Sequence, residues 1–204
     1  MYRSPTTRSN IEYYVTEVPK EQARELLSHE GKAKYITHLL AQNQNQRAIV
    51  YLPYKADVIA LAKSMGCFAM HSDTPDKEKV LAEYQMSTSS IMIATSCLSE
   101  GTHIPNVQTV VHMGAPESMI KYVQESGRGG RDVDRCRAVI VLAQGLPSHL
   151  SKQVHTTRAR VQQYLQVDYH NKKCRRVAID RYMDDNRVRE HCLPHEAQCD
   201  ICQQ

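Results

Sequence analysis

The sequence predicts an α/β domain built on a parallel sheet with helices on both faces, followed by a small helical subdomain that binds a metal. Three observations carry that expectation. Short apolar runs alternate with helical patterns as far as Ala143. From Ser148 onward the strand pattern stops. Four of the seven cysteines then gather behind residue 173.

Residues 11–16 (IEYYVT) alternate and are rich in aromatic and β-branched types, as a first strand requires. A helical pattern follows from Lys20 to about Gln42, with Ala23, Leu26, Leu27, Ile36, Leu39 and Leu40 on its apolar face and Gly31 as a candidate break. Ala48 to Leu52 reads as a buried strand, and Lys55 to Met65 as a helix closed by Gly66. Strands are expected at 67–71, 91–94, 109–112 and 138–143, and helices at 76–85 and 119–125. Continuous apolar runs are the mark of strands covered on both faces. Two further helices, at 155–167 and 174–184, lie beyond a junction near Gly145–Pro147, which gives domains at 1–147 and 148–204.

Composition narrows the function classes. The 204 residues are 41% hydrophobic and 24% charged, which suits a globular chain. No run of about 18 apolar residues occurs, and Met1 to Asn10 has no signal-peptide core, so neither a membrane span nor secretion is expected. A formal charge of +4 is too small to prove a nucleic-acid partner. The basic run Lys172, Lys173, Arg175, Arg176 and Arg181 fits a phosphate contact or a solvated helix face equally well. Cys67, Cys97 and Cys136 sit in apolar or mixed segments as ordinary small thiols. Cys174, Cys192, Cys199 and Cys202 are separated by 17, 6 and 2 residues, and their C-x-x-C pair plus two thiols points to an intracellular metal site. His191 and His195 are alternatives for the second ligand, and a redox-active C-x-x-C is the other chemistry open to the pair.

The stretch from Gln124 to Asp132 (QESGRGGRD) carries the most chemistry. Its glycines let the backbone turn tightly and approach a ligand. Arg128 and Arg131 offer planar forks suited to phosphate oxygens.

This stretch resembles motif VI of superfamily 2 helicases, in the Q-E-x-G-R-A-G-R-D form of the RecQ family. Other segments follow in the family's order. Arg8-Ser9-Asn10-Ile11 resembles the R-x-N-L/I opening of the second motor domain, and Ala48–Leu52 is similar to motif IV. His71 falls at the histidine of the Y-H-A segment. Ala94 to Gly101, with Ile104-Pro105-Asn106-Val107 and Val111-His112, is similar to motif V and its following strand. Cys174-Arg175-Arg176, Tyr182-Met183, Cys192 and Cys199-Asp200-Ile201-Cys202 resemble the RecQ zinc-binding subdomain.

The resemblance implies a RecA-like fold for residues 1–147 and a zinc-binding subdomain for 148–204. It implies Arg131 as the arginine finger, with Arg128 and Gln124 as its companions. Gly101, Arg128 and Arg131 would face the nucleotide, Thr95, Arg175 and Arg176 would meet DNA, and Cys174, Cys192, Cys199 and Cys202 would hold a structural Zn²⁺. His71 and His112 are better read as hydrogen-bonded residues of the scaffold. DNA, and an N-terminal RecA-like domain that binds ATP and Mg²⁺, are the implied partners, and the nucleus is the implied compartment.

Departures from the family pattern matter as much. Gly129 stands where alanine is usual, and Ser99-Glu100 where glycine and methionine are expected. A carboxylate at Glu100 would repel phosphate if it faced one. Such features resemble a divergent member, like the telomere-linked helicases of fungi. No G-x-x-x-x-G-K-[ST] and no D-E-x-H occur, so this chain has no P-loop cradle of its own. It reads as the second motor domain and zinc subdomain of an ATP-dependent 3′–5′ DNA helicase, inactive alone. The alternative is a non-catalytic nucleic-acid or protein-binding module that keeps the helicase fold.

Overall fold

In the computed structural model, which describes residues 6–41, 47–87, 91–99, 104–145, 155–166 and 174–203, six parallel strands form one sheet. They are β1 (Ile11–Val18), β2 (Arg47–Tyr51), β3 (Phe68–Met70), β4 (Ile91–Ala94), β5 (Val107–Met113) and β6 (Cys136–Ala143), in the order β1-β6-β5-β2-β4-β3. Helices α1 (Lys20–Ala23), α2 (His29–Ala41), α3 (Lys55–Met65), α4 (Lys77–Met86) and α5 (Met119–Ser126) connect them. Helices α6 (His155–Leu165) and α7 (Arg175–Met183) follow the sheet. The expected α/β class is therefore present.

Alternating side chains explain why the strands read as unbroken apolar runs. On one face Val50, Ile93, Val111, Val139 and Val141 pack against α2 and α3 through Ile36, Val58 and Leu61. On the other, Ile49, Met92 and Val110 meet Leu81 and Tyr84 of α4, while Ile11, Tyr13, Ala138 and Ile140 meet Met119 and Tyr122 of α5. Both faces are apolar because both are covered.

The local signals act as their chemistry requires. Ser118 caps α5 by accepting from the Lys121 N–H at 3.1 Å, and Asp76 caps α4 through the Lys79 N–H at 3.1 Å. Gly66 closes α3 in the left-handed region. The break in the first helical region differs from expectation. It falls at Arg24–Ser28, where a 3₁₀ turn covers Glu25–Leu27, and Gly31 lies inside α2. Gly31 is needed there because a Cβ would stand 2.0 Å from the Glu25 carbonyl oxygen.

The C-terminal elements do not build a separate core. Val161, Tyr164, Ile179, Cys174, Cys199 and Ile201 join Ile11, Tyr13, Tyr122 and Ile140 in one buried cluster. The Tyr122 and Tyr164 hydroxyls pair at 3.0 Å inside it. The junction expected near 147–148 lies outside the described residues.

Gly129 has a steric cause. A Cβ there would lie 2.2 Å from Cys136 Sγ and 3.1 Å from Val110 Cγ2, so the buried thiol of β6 fills the space an alanine methyl would need. Gly129→Ala is expected to destabilise the chain by about 1–3 kcal/mol through overpacking. Adding Cys136→Ala removes the obstructing sulfur, and the double variant should lose less than the sum of the singles. Urea unfolding midpoints of the three variants check this; strictly additive losses would refute the conflict.

Candidate functional site

The arginine-bearing segment begins where α5 ends. Glu125 is buried at that end and meets His112 Nε2 of β5 at 2.8 Å. His112 stacks on Tyr51 with centroids 5.1 Å apart and sets an edge against Tyr122 at 5.1 Å. Both histidines singled out in the sequence thus serve the scaffold, since His71 Nδ1 accepts the Asp73 N–H at 3.3 Å. Beyond Glu125 the chain turns tightly. Arg128 N donates to Glu125 O and Gly129 N to Ser126 O, each at 3.1 Å, and Gly130 N reaches Val107 O of β5 at 3.0 Å.

The two arginines part company after this turn. Arg131 is exposed, its Nε 3.4 Å from Gly127 O, and Gln124 is exposed two residues before the end of α5. Arg128 is only 4% exposed. Burial lowers its guanidinium below the usual value; Tyr51 opposes that shift and the Arg131 charge adds to it. Of the two arginines expected to face the nucleotide, Arg131 is open to solvent and Arg128 is turned inward. The tight turn at 127–129 directs the first arginine inward and releases the second.

Thr95 directly follows β4 and is half-buried, with its N–H on Met70 O at 3.0 Å and its carbonyl receiving Leu98 N at 3.3 Å. It opens the 3₁₀ turn Ser96–Ser99. Gly101 and Glu100 lie outside the described residues.

Arg175 and Arg176 require a second correction. Their exposures are 3% and 0%, so neither offers DNA a surface. Arg175 pairs with Asp200 in a two-pronged contact, Nε to Oδ1 and Nη2 to Oδ2, each at 2.9 Å, and its Nη1 donates to Tyr164 O at 2.9 Å. Burial alone would lower its pKa, but the hydrogen-bonded Asp200 outweighs that and holds it above the ordinary value. Arg176 Nη1 donates to Arg8 O at 2.7 Å, and Nη2 to Ile11 O at 2.7 Å and Ala197 O at 3.1 Å. The exposed basic side chains of this end are others. Arg160, Arg181 and Arg187 border a groove of about 800 Å³ beside Tyr182, with Arg160 placed 5.8 Å over the Tyr182 ring. Helical spacing alone does not reveal this inversion, because α7 buries charged residues and exposes an aromatic one.

The four tail cysteines do come together. The sulfurs of Cys174, Cys192, Cys199 and Cys202 all lie within 4.8 Å of one another, with Cys174 to Cys192 at 3.5 Å and Cys174 to Cys199 at 3.8 Å. A tetrahedral thiolate site with bonds of about 2.3 Å needs sulfurs about 3.8 Å apart, so the donor set fits such a metal ion. All four cysteines are free. Cys199 is drawn towards the thiolate by the thiols of Cys174 and Cys192, with the Arg175 and Cys202 N–H groups adding to the effect. His191 and His195 are exposed and outside the cluster, which removes them as alternative ligands.

Comparison with known proteins agrees with this architecture. The sequence profile of the helicase conserved C-terminal domain matches residues 31–133. ATP-dependent DNA helicase Q1 of Mus musculus is 28% identical over 206 residues, covering 96% of this chain and 30% of that protein. ATP-dependent DNA helicase RecQ of Haemophilus influenzae is 24% identical over 209 residues, covering 95% of this chain and 33% of its own length. The chain thus spans about a third of the length of these relatives. Among solved structures, the E. coli DEAD-box protein SrmB superposes with a TM-score of 0.58 at 18% identity, over 78% of this chain and 88% of that one, a likeness of fold. With half of its length matched by the family profile and RecQ-type relatives aligned along nearly all of it, the chain belongs to the helicase conserved C-terminal domain family, in its RecQ-like form.

Proposed function

We propose that this chain is the second motor domain and zinc subdomain of an ATP-dependent 3′–5′ DNA helicase. The observation that carries the reading is Arg131, a solvent-facing guanidinium on a glycine turn pinned to β5, in a chain with no phosphate-binding loop of its own. An arginine so placed can neutralise charge only on a phosphoryl group brought to it from outside. The partner that would bring it is an N-terminal RecA-like domain of the same protein. ATP with Mg²⁺, held there, supplies the hydrolysable phosphoryl group.

Each residue then has a physical task. Arg131 stabilises the oxygens of the transferring group, and Arg128, buried nearby, adds a second positive charge that favours anion approach. Gln124 stands on the same exposed edge, and Gly101 would allow close backbone approach to the nucleotide. Thr95, at the carboxyl end of β4, is placed where strand ends of an open parallel sheet meet ligands, and we assign it to a DNA phosphate. Closure of the two lobes on ATP, alternating with reopening, would turn grip on DNA into directed movement. The compartment of such an enzyme is the nucleus, with DNA repair and recombination as its setting.

The thiolate cluster takes Zn²⁺ in this reading, with Cys174, Cys192, Cys199 and Cys202 as ligands. Four protein ligands leave no open position, so its part is structural. The tail has little apolar burial of its own. Of its large apolar side chains only Ile179 and Ile201 are buried, while Tyr182, Leu193 and, at 89%, Val188 are exposed.

Two measurements test these assignments. Elemental analysis of chain purified without chelator should give one zinc per chain. A strong chelator should then raise hydrogen exchange across residues 174–203 while the centres of β2, β4 and β5 stay protected. Absence of metal, or a Cys199–Cys202 disulfide, would overturn the zinc reading.

The chain alone should not turn over ATP, with or without DNA. In the full-length protein Arg131→Ala should lower kcat on the order of 10³-fold, with the KM for ATP little changed. Robust turnover by the chain alone would refute the division of labour. Unchanged kcat in Arg131→Ala would remove the finger, whereas a full-length protein that turns over no ATP would favour the non-catalytic binding module.

A further inference from the structure

The segment bearing Arg131 has an anchor that no motif role above includes. Asn10 lies just before β1, and its main-chain oxygen receives the Cys136 N–H at 2.9 Å, the first rung between β1 and β6. Its side-chain amide turns the other way. Nδ2 donates to Gly130 O at 2.7 Å and to Val133 O at 2.8 Å, so a single nitrogen ties together the two ends of the Arg131–Asp132 bulge. Arg8 Nη1 adds a contact to the same Gly130 oxygen at 3.3 Å. Gly130 itself has φ +71°, and a Cβ there would touch both amide atoms of Asn10 at 3.1 Å. The turn and the amide are therefore fitted to each other.

Asn10 is in turn held from behind. Arg176 Nη1 grips Arg8 O, and Nη2 grips Ile11 O, at 2.7 Å each, with Ser9 O at 3.3 Å. Arg176 sits two residues from the metal-site thiol of Cys174. Hydrogen bonds thus link Arg176, two residues past Cys174, to the main chain of residues 8–11, and Asn10 to the turn that presents Arg131.

We propose that Asn10 is a positioning residue for Arg131: its amide sets where the exposed guanidinium is presented to the phosphoryl group, and Arg176 fixes Asn10 from the cysteine-rich end. The proposal rests on the reading of Arg131 as the arginine finger. Its chemistry is specific to a carboxamide. Two carbonyl oxygens need two N–H donors on one short side chain, which asparagine has. Aspartate has the same shape and only acceptors when ionised, so it would face both carbonyls with negative oxygen. Serine supplies one donor.

The test uses the full-length protein and the variants Asn10→Asp, Asn10→Ser and Arg131→Ala, alone and with Asn10→Asp added to Arg131→Ala. A displaced finger should cost Asn10→Asp about 10- to 100-fold in kcat, with the KM for ATP within about twofold of wild type. Asn10→Ser should fall between, having kept one donor. In the Arg131→Ala background Asn10→Asp should cause no further fall, because the group it positions is already gone. A purely structural amide would instead lower kcat equally in both backgrounds, and that result, or an unchanged kcat in Asn10→Asp, overturns the proposal while leaving the finger intact. Unchanged kcat in Arg131→Ala would sink the finger itself, and the proposal with it. Should Asn10→Asp lack a cooperative melting transition, Asn10→Ser and its double variant with Arg131→Ala decide by the same criteria.

Discussion

Much of this structure depends on one buried cation. Arg176 is fully enclosed, yet both terminal nitrogens of its guanidinium end on main-chain carbonyls, those of Arg8, Ser9 and Ile11 on one side and Ala197 on the other. Glu196 stands 3.6 Å from its Nε, and the Tyr13 ring lies 5.1 Å away. Burying an unpaired charge costs several kcal/mol, so the carbonyls and the carboxylate must all be in place before the cation is tolerable. Two remote segments, the approach to β1 and the cysteine-bearing end, are thereby fixed by the same side chain. Lysine could not do this, since its point charge lacks the planar fork that reaches several acceptors at once.

Around that centre the other polar groups form a shell. Arg189 joins Asp180 and Glu196, Thr7 donates to Asp180 at 2.8 Å, and the Val15 N–H donates to Asp200 at 3.0 Å. Enclosure also pushes the Tyr13 phenol above its ordinary value, with the Arg176 charge opposing the shift. The cysteine-rich end therefore docks on β1 through buried ions and amides as well as through the shared apolar cluster.

That polarity explains what could and could not be read from the sequence. The sheet was legible because β2, β4 and β5 are covered on both sides, which leaves short unbroken apolar runs such as Ile49–Tyr51 and Met92–Ala94. Helix α3 was legible to the residue, ending at Gly66. The four thiols were legible as one group because thiolate clustering has few other causes. Arg175 and Arg176 were not. Rules of periodicity assume that charge faces water, whereas α7 turns Arg175, Arg176 and Asp180 inward and leaves Tyr182 outside. Arg128 escaped for a related reason: a motif records which residue stands at a position and is silent on whether the turn points it in or out.

The placement of β1 has a consequence for how the chain is made. Among the described residues its one strand neighbour in the sheet is β6, and Ile11 pairs with Cys136. Within this sheet the first strand in sequence must therefore wait for the last before the β1–β6 pairing can form. During that interval Ile11, Tyr13 and Val18 have no sheet to cover them, and contacts so distant in sequence close slowly. Strands β2 to β5 lie between and pair among themselves in the meantime. The β1–β6 side of the sheet is thus expected to close last, and the site-bearing turn between α5 and β6 acquires its Asn10 clamp only when β1 arrives.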